Sequence, residues 1–144
     1  IKEGVTAISP NQFVTEEDID DAKEMFSSVG SVVEIKENNI DIYTALIGSG
    51  PAYVFYLIES LLESSASLEL TDTEKITLLA SMISGSANLA KNSEDSPEEL
   101  RKKVTSPGGV TQSAIEEFES RGLKKIIKES MKVAEKKSID LGNK

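Results

Sequence analysis

Residues 51–66 read Pro51-Ala52-Tyr53-Val54-Phe55-Tyr56-Leu57-Ile58-Glu59-Ser60-Leu61-Leu62-Glu63-Ser64-Ser65-Ala66, and this run decides the fold class. Tyr53, Val54, Phe55, Leu57, Ile58, Leu61 and Leu62 fall on nearly every side of a helical projection. A helix that is apolar all round is a buried helix. Counted from Ile42 to Ala66 it runs roughly 37 Å at 1.5 Å per residue, which is long for a compact fold of 144 residues. Burial inside a second copy of the chain is the natural solution, and it predicts a homodimer. Pro51 lacks a backbone donor, so a break or kink is expected where Gly48-Ser49-Gly50-Pro51 enters the run.

Toward the N-terminus the pattern changes. The chain opens on Ile1 with no initiator Met and reads as though it begins partway through something larger. Gly4-Val5-Thr6-Ala7-Ile8 is a short β-like run, and Ser9-Pro10-Asn11 is a turn. Thr15-Glu16-Glu17-Asp18 is a capped helix start, with Ile19, Ala22, Met25, Phe26 and Val29 at helical spacing and Gly30 placed to end the helix. Ser31-Val32-Val33-Glu34-Ile35 is a second strand. Residues 1–36 are therefore expected to form a strand–helix–strand crossover. Two short strands make no stable sheet alone, so they read as the edge of a larger one.

Toward the C-terminus, residues 37–144 read as all-helical. Thr71-Asp72-Thr73-Glu74 and Ser96-Pro97-Glu98-Glu99 are capping boxes. Ile76, Leu79, Ile83, Ala87 and Ala90 line one face of the first of these helices, beside small residues at Ser81, Ser84, Gly85 and Ser86. A further helix starts at Val110 or Thr111, with Ala114, Ile115 and Phe118 inward, and Gly122 closes it. A last helix carries Leu123, Ile126, Ile127, Met131, Ala134 and Leu141, with lysines toward its end. The expected fold is mainly α, a helical bundle forming an interleaved dimer, preceded by the strand–helix–strand edge of a Rossmann-type sheet.

Composition narrows the chemistry. The chain has no Cys, His or Trp. That excludes a thiolate nucleophile, an imidazole base or ligand and a sulfur-ligated metal, and no metal site is expected. The net charge of -9 disfavours a nucleic-acid surface. Residues 1–70 hold 3 basic and 13 acidic side chains, and residues 71–144 hold 13 and 12, so an anionic ligand is better received by the second half. The longest uninterrupted apolar run, Val54 to Ile58, is too short to cross a bilayer, and neither a membrane span nor a signal peptide is expected.

One segment reads as a site: Val104-Thr105-Ser106-Pro107-Gly108-Gly109-Val110-Thr111. Two glycines leave backbone N–H groups unobstructed and lead into a helix start, where orphan donors and the helix dipole favour an anion. Ser106 and Thr111 place hydroxyls at the same turn, and Arg101, Lys102 and Lys103 raise the local positive potential. A plain helix–helix turn with Thr111 as N-cap accounts for the same residues. Gly48-Ser49-Gly50 is not a nucleotide loop, because position 53 is Tyr and no strong strand precedes it. Close packing at a helix kink explains those glycines better. Glu37 and Asp41 read as acids at a helix start, and Tyr53, Phe55 and Tyr56 as core.

Ile47-Gly48-Ser49-Gly50-Pro51-Ala52-Tyr53, followed by Val104-Thr105-Ser106-Pro107-Gly108-Gly109-Val110-Thr111, resembles the pyrroline-5-carboxylate reductases. The second segment is the specific one. The resemblance covers essentially the whole chain and only the part of that family that follows its dinucleotide-binding domain; no Gly-x-Gly-x-x-Gly occurs in these 144 residues.

The resemblance implies a cytoplasmic oxidoreductase of proline biosynthesis that reduces 1-pyrroline-5-carboxylate to L-proline with NADPH or NADH. It implies interleaved homodimers that assemble further into decamers. It further implies that Ser106 and the backbone of Gly108, Gly109 and Val110 hold the substrate carboxylate. Thr111 would contact the ring nitrogen as the catalytic hydroxyl. Glu37 would lie near the substrate, and Lys103 would approach the cofactor. The hydride belongs to the nicotinamide, so the protein needs no nucleophile, and this chain alone is expected to be inactive. The reading of a different class is a non-catalytic helical dimerisation module whose Ser-Pro-Gly-Gly loop binds some other anion.

Overall fold

A computed structural model describes residues 3–143; the start at Ile1 lies outside them. The chain forms two compact units. One takes in the chain as far as Pro51 together with the stretch from Lys128 onward, and the other is Ala52–Ile127.

In the first unit, β1 (Gly4–Ile8), α1 (Glu16–Ser27) and β2 (Gly30–Glu34) make the expected crossover. The strands pair in parallel, Gly4 opposite Gly30 through to Ile8 opposite Glu34. Thr15 caps α1 in a reciprocal box: its hydroxyl accepts the Asp18 N–H, and the Asp18 carboxylate accepts the Thr15 N–H at 2.8 Å. Gly30 does not end the helix. The last turn closes at Ser28, and Gly30 opens β2 instead. A Cβ at Gly30 would lie 2.0 Å from the Gly4 carbonyl oxygen, so the approach of the two backbones requires glycine there. Lys23 reaches Glu34 at 3.1 Å, tying helix to strand.

A helical run follows from Glu37 to Glu63. It opens as a 3-10 turn at Glu37–Asn39 and continues as α2 (Ile40–Tyr43). The Tyr43 hydroxyl donates to the Val5 carbonyl at 2.8 Å. The irregularity expected near Pro51 appears as a π-helical turn at Thr44–Gly48, where the Ser49 N–H bonds the Thr44 carbonyl at 2.9 Å, before α3 (Gly50–Glu63) begins. The wide turn lies just before Pro51, which lacks a donor, and the helix continues past it. Among the described residues of one chain nothing lies within 4 Å of where a Cβ on Gly50 would sit. At 27 residues the run is long and apolar enough to cross a bilayer by length and composition. The expectation of no span rests on uninterrupted apolar stretches, and this run is interrupted by Gly48 and Gly50.

The rest comprises α4 (Asp72–Asn92), α5 (Pro97–Lys103), α6 (Val110–Ser120) and α7 (Leu123–Gly142). Thr71 and Ser96 both form the predicted capping boxes. Gly122, at φ +72°, takes the left-handed turn between α6 and α7.

The faces predicted to be inward are not covered within the described residues. Tyr56 is 72% exposed, Ile76, Phe118 and Ile127 are also exposed, and Ile115 is half-buried. Across the described residues only Ala45 and Lys75 fall in the buried class, at 1% and 8% exposure.

Candidate functional site

The segment from Ser96 to Ser120 builds a helix–loop–helix. α5 ends through the Val104 N–H on the Leu100 carbonyl. The Thr105 hydroxyl then donates to the Arg101 carbonyl at 2.6 Å, satisfying a last-turn acceptor. Gly108 sits at φ +70°, and the Gly109 N–H returns to the Ser106 carbonyl at 3.0 Å. A Cβ on Gly109 would lie 3.0 Å from that same oxygen. Extended Gly109 then serves as the N-cap of α6.

This helix start differs from those of α1, α4 and α5. Thr15, Thr71 and Ser96 each cap their helices with a side-chain oxygen, whereas Gly109 offers none. Thr111 is therefore not the N-cap; it is the second helical residue. The first intrahelical bond runs from the Ser113 N–H to the Gly109 carbonyl, leaving the N–H groups of Val110, Thr111 and Gln112 without a partner among the described residues. The hydroxyls of Ser106 and Thr111 carry no hydrogen bond there either, and the Val110 side chain is 90% exposed.

Not every expected donor is free. The Gly109 N–H is spent on Ser106, and the Gly108 N–H donates to the Gln112 side-chain oxygen at 2.7 Å. Of the predicted backbone trio only Val110 remains available, and Thr111 and Gln112 extend the set. Gln112 had no expectation attached to it. Its signal was a Gln three residues after an N-cap, obscured because that cap is Gly and not Ser or Thr.

The basic cluster is largely neutralised. Lys102 pairs with Glu98 at 2.7 Å, and Lys103 pairs with Asp95. These bonds hold the Glu98 and Asp95 carboxyls below their usual range, the lysine hydrogen bond being the larger cause in each. Arg101 makes no ion pair among the described residues. It lines a cleft of about 300 Å³ with Ile115, Phe118, Glu119, Gly122, Leu123 and Lys124. Glu37 opens the 3-10 turn in the other unit and is exposed. Among the described residues no three carboxylates gather as a metal-ligand set.

The pyrroline-5-carboxylate reductase dimerisation model matches residues 37–141. The chain belongs to that family. A pyrroline-5-carboxylate reductase of Synechocystis is 38% identical over 98% of this chain, and one of Methanosarcina acetivorans is 33% identical over all of it. The chain spans about half the length of these relatives, 53% in each. The crystal structure of the Plasmodium falciparum enzyme, which has NADP bound, superposes with a TM-score of 0.91 at 32% identity. That match covers 98% of this chain and 57% of the other. The Coxiella burnetii enzyme gives 0.90 at 33% identity.

The described residues of this family member do not fit a dinucleotide site. The sheet has two strands, no Gly-x-Gly-x-x-Gly leads into a helix, and Lys103 is tied to Asp95.

Proposed function

We propose that the chain is the dimerisation and substrate-binding part of a pyrroline-5-carboxylate reductase, an oxidoreductase of proline biosynthesis. The observation that carries this is the uncapped start of α6, within a matched family region. The substrate carboxylate lies against the N–H groups of Val110, Thr111 and Gln112, where fixed donors and the helix dipole favour negative charge. The Ser106 hydroxyl adds a further donor. The Thr111 hydroxyl orients the ring nitrogen of 1-pyrroline-5-carboxylate; being too weak an acid to protonate the imine alone, it positions and does not supply the proton. From the family resemblance Glu37 is carried over as a substrate-binding position and Lys103 as a cofactor-side position; Glu37 itself opens the 3-10 turn and Lys103 is paired with Asp95. The hydride donor, NADPH or NADH, is not held by the described residues, which alone turn over no substrate.

Residues 37–144 form the helical domain and residues 1–36 complete the edge of the cofactor-domain sheet; the matched region beginning at 37 supports that division. The working unit is a homodimer, with a decamer as the larger assembly, in the cytoplasm and without nucleic-acid or membrane partners. The exposed apolar side chains of α3 and α4 support the dimer, and the charge of -9 supports the exclusion of nucleic acid.

Calorimetric titration of the chain with L-proline tests the site. Binding in the millimolar range is expected, weakened at least fivefold by Thr111→Ala and by Ser106→Ala. Equal binding by both variants would sink the assignment.

A further inference from the structure

The α6 N-terminus carries a side-chain relay that the substrate reading does not use. The Gly108 N–H donates to Gln112 Oε1 at 2.7 Å, and Gln112 Nε2 donates to Glu116 Oε1 at 2.6 Å. The two bonds fix the amide orientation, because a flipped amide would set its NH2 against the Gly108 N–H and its oxygen against a carboxylate. The Glu116 charge at the far end polarises the amide and strengthens its acceptor end. Gly108 is also the loop residue in the left-handed region, at φ +70°. The relay therefore grips the loop at its one left-handed glycine.

We propose that Gln112 is a positioning residue for the anion site: by holding Gly108 it sets where Gly109 enters α6 and hence where the N–H groups of Val110, Thr111 and Gln112 point. This rests on the substrate reading above and deepens it. Gln112 acts through its side chain on the loop while its own N–H faces the ligand. A plain helix–helix turn needs no such relay, since Gly108 and Gly109 supply the bend unaided. A consequence is that the Gly108 N–H is not a ligand donor. Freeing it adds a donor in the wrong place and loosens the three in the right one.

The test uses this chain, Gln112→Ala and Gln112→Glu, with two readouts. Amide exchange at Gly108, followed by NMR, reads the relay directly. Titration with L-proline reads the site. Exchange at Gly108 is expected to quicken at least tenfold in Gln112→Ala and to stay slow in Gln112→Glu, which keeps an acceptor for that N–H. L-Proline binding is expected to weaken fivefold or more in Gln112→Ala, with the melting temperature of the variant unchanged. Unchanged exchange at Gly108 in Gln112→Ala overturns the proposal whatever the binding result. Quickened exchange with unchanged proline affinity overturns it too. If the unsubstituted chain binds no proline, the substrate reading fails and the positioning role falls with it; exchange at Gly108 that still quickens in Gln112→Ala then marks Gln112 as a brace of the loop alone.

Discussion

Lys103, the last residue of α5, places its ammonium on the carboxylate of Asp95, in the turn before that helix begins. The pair closes α5 on itself, its end tied to the segment that leads into it. Ser93 adds a second support, its hydroxyl accepting the Asp95 N–H at 3.1 Å.

This pair makes a pH prediction with a definite sign. Lys103 holds the Asp95 carboxyl below its ordinary value. A depressed carboxyl contributes stability above the ordinary carboxylate range, about pH 4, and that contribution is lost as pH falls through the depressed value. In Lys103→Met the Asp95 pKa, followed by NMR, should rise, Ser93 remaining as a smaller lowering contact. Melting temperatures of the two proteins should differ slightly at neutral pH, the pair being exposed, and converge near pH 2. A gap that persists in acid would mean that Lys103 acts through packing.

The capping boxes behave in the same direction. Asp18, Glu74 and Glu99 are each held below the ordinary range by hydrogen bonds from Thr15, Thr71 and Ser96. Protonating the three weakens the acceptors at three helix starts, so helicity by circular dichroism should fall as pH drops below about 4. Thr71→Ala should cost about 1 kcal/mol of stability by denaturant titration, and Thr71→Ser much less.

What was legible in the sequence was what is local. A hydroxyl followed three residues later by an acid spans one helical turn, and all three such boxes formed. The strand–helix–strand unit was legible for the same reason. Gly30 was misread as a helix end because its real constraint is the Gly4 backbone, 26 positions away in sequence. The π turn at Thr44–Gly48 leaves no residue signature of its own; it is one of several ways to accommodate Pro51. The loop was found, but which of its donors stay free depended on a Gln112 rotamer and on Ser106, neither visible in a string of letters. The lysines were counted as free charge, although Glu98 lies one helical turn before Lys102 and foreshadowed that pairing.

Gly30→Ala tests the strand pair. A methyl group 2.0 Å from the Gly4 oxygen forces the backbones apart. The loss should be about 2 kcal/mol in thermal or denaturant unfolding, within the range that forced overpacking with backbone shifts costs. Cross-strand contacts between Thr6 and Val32 should disappear from NMR spectra.

Gly85 separates the dimer from the isolated chain. It sits inside α4, and a Cβ there meets nothing within 4 Å among the described residues. Helix propensity alone makes Gly85→Ala stabilising by up to about 1 kcal/mol, and Gly85→Leu is favourable on the same ground. If a second copy lies against the small residues Ser81, Ser84, Gly85 and Ser86, a leucine at 85 holds the helices apart. The chain should then sediment at twice its 15.6 kDa mass, and Gly85→Leu should raise the dimer dissociation constant at least tenfold while helicity per chain is kept. A Gly85→Leu protein that sediments as an unperturbed dimer would place the interface on another face of α4, and a monomeric parent chain at micromolar concentration would remove the dimer from the proposed function.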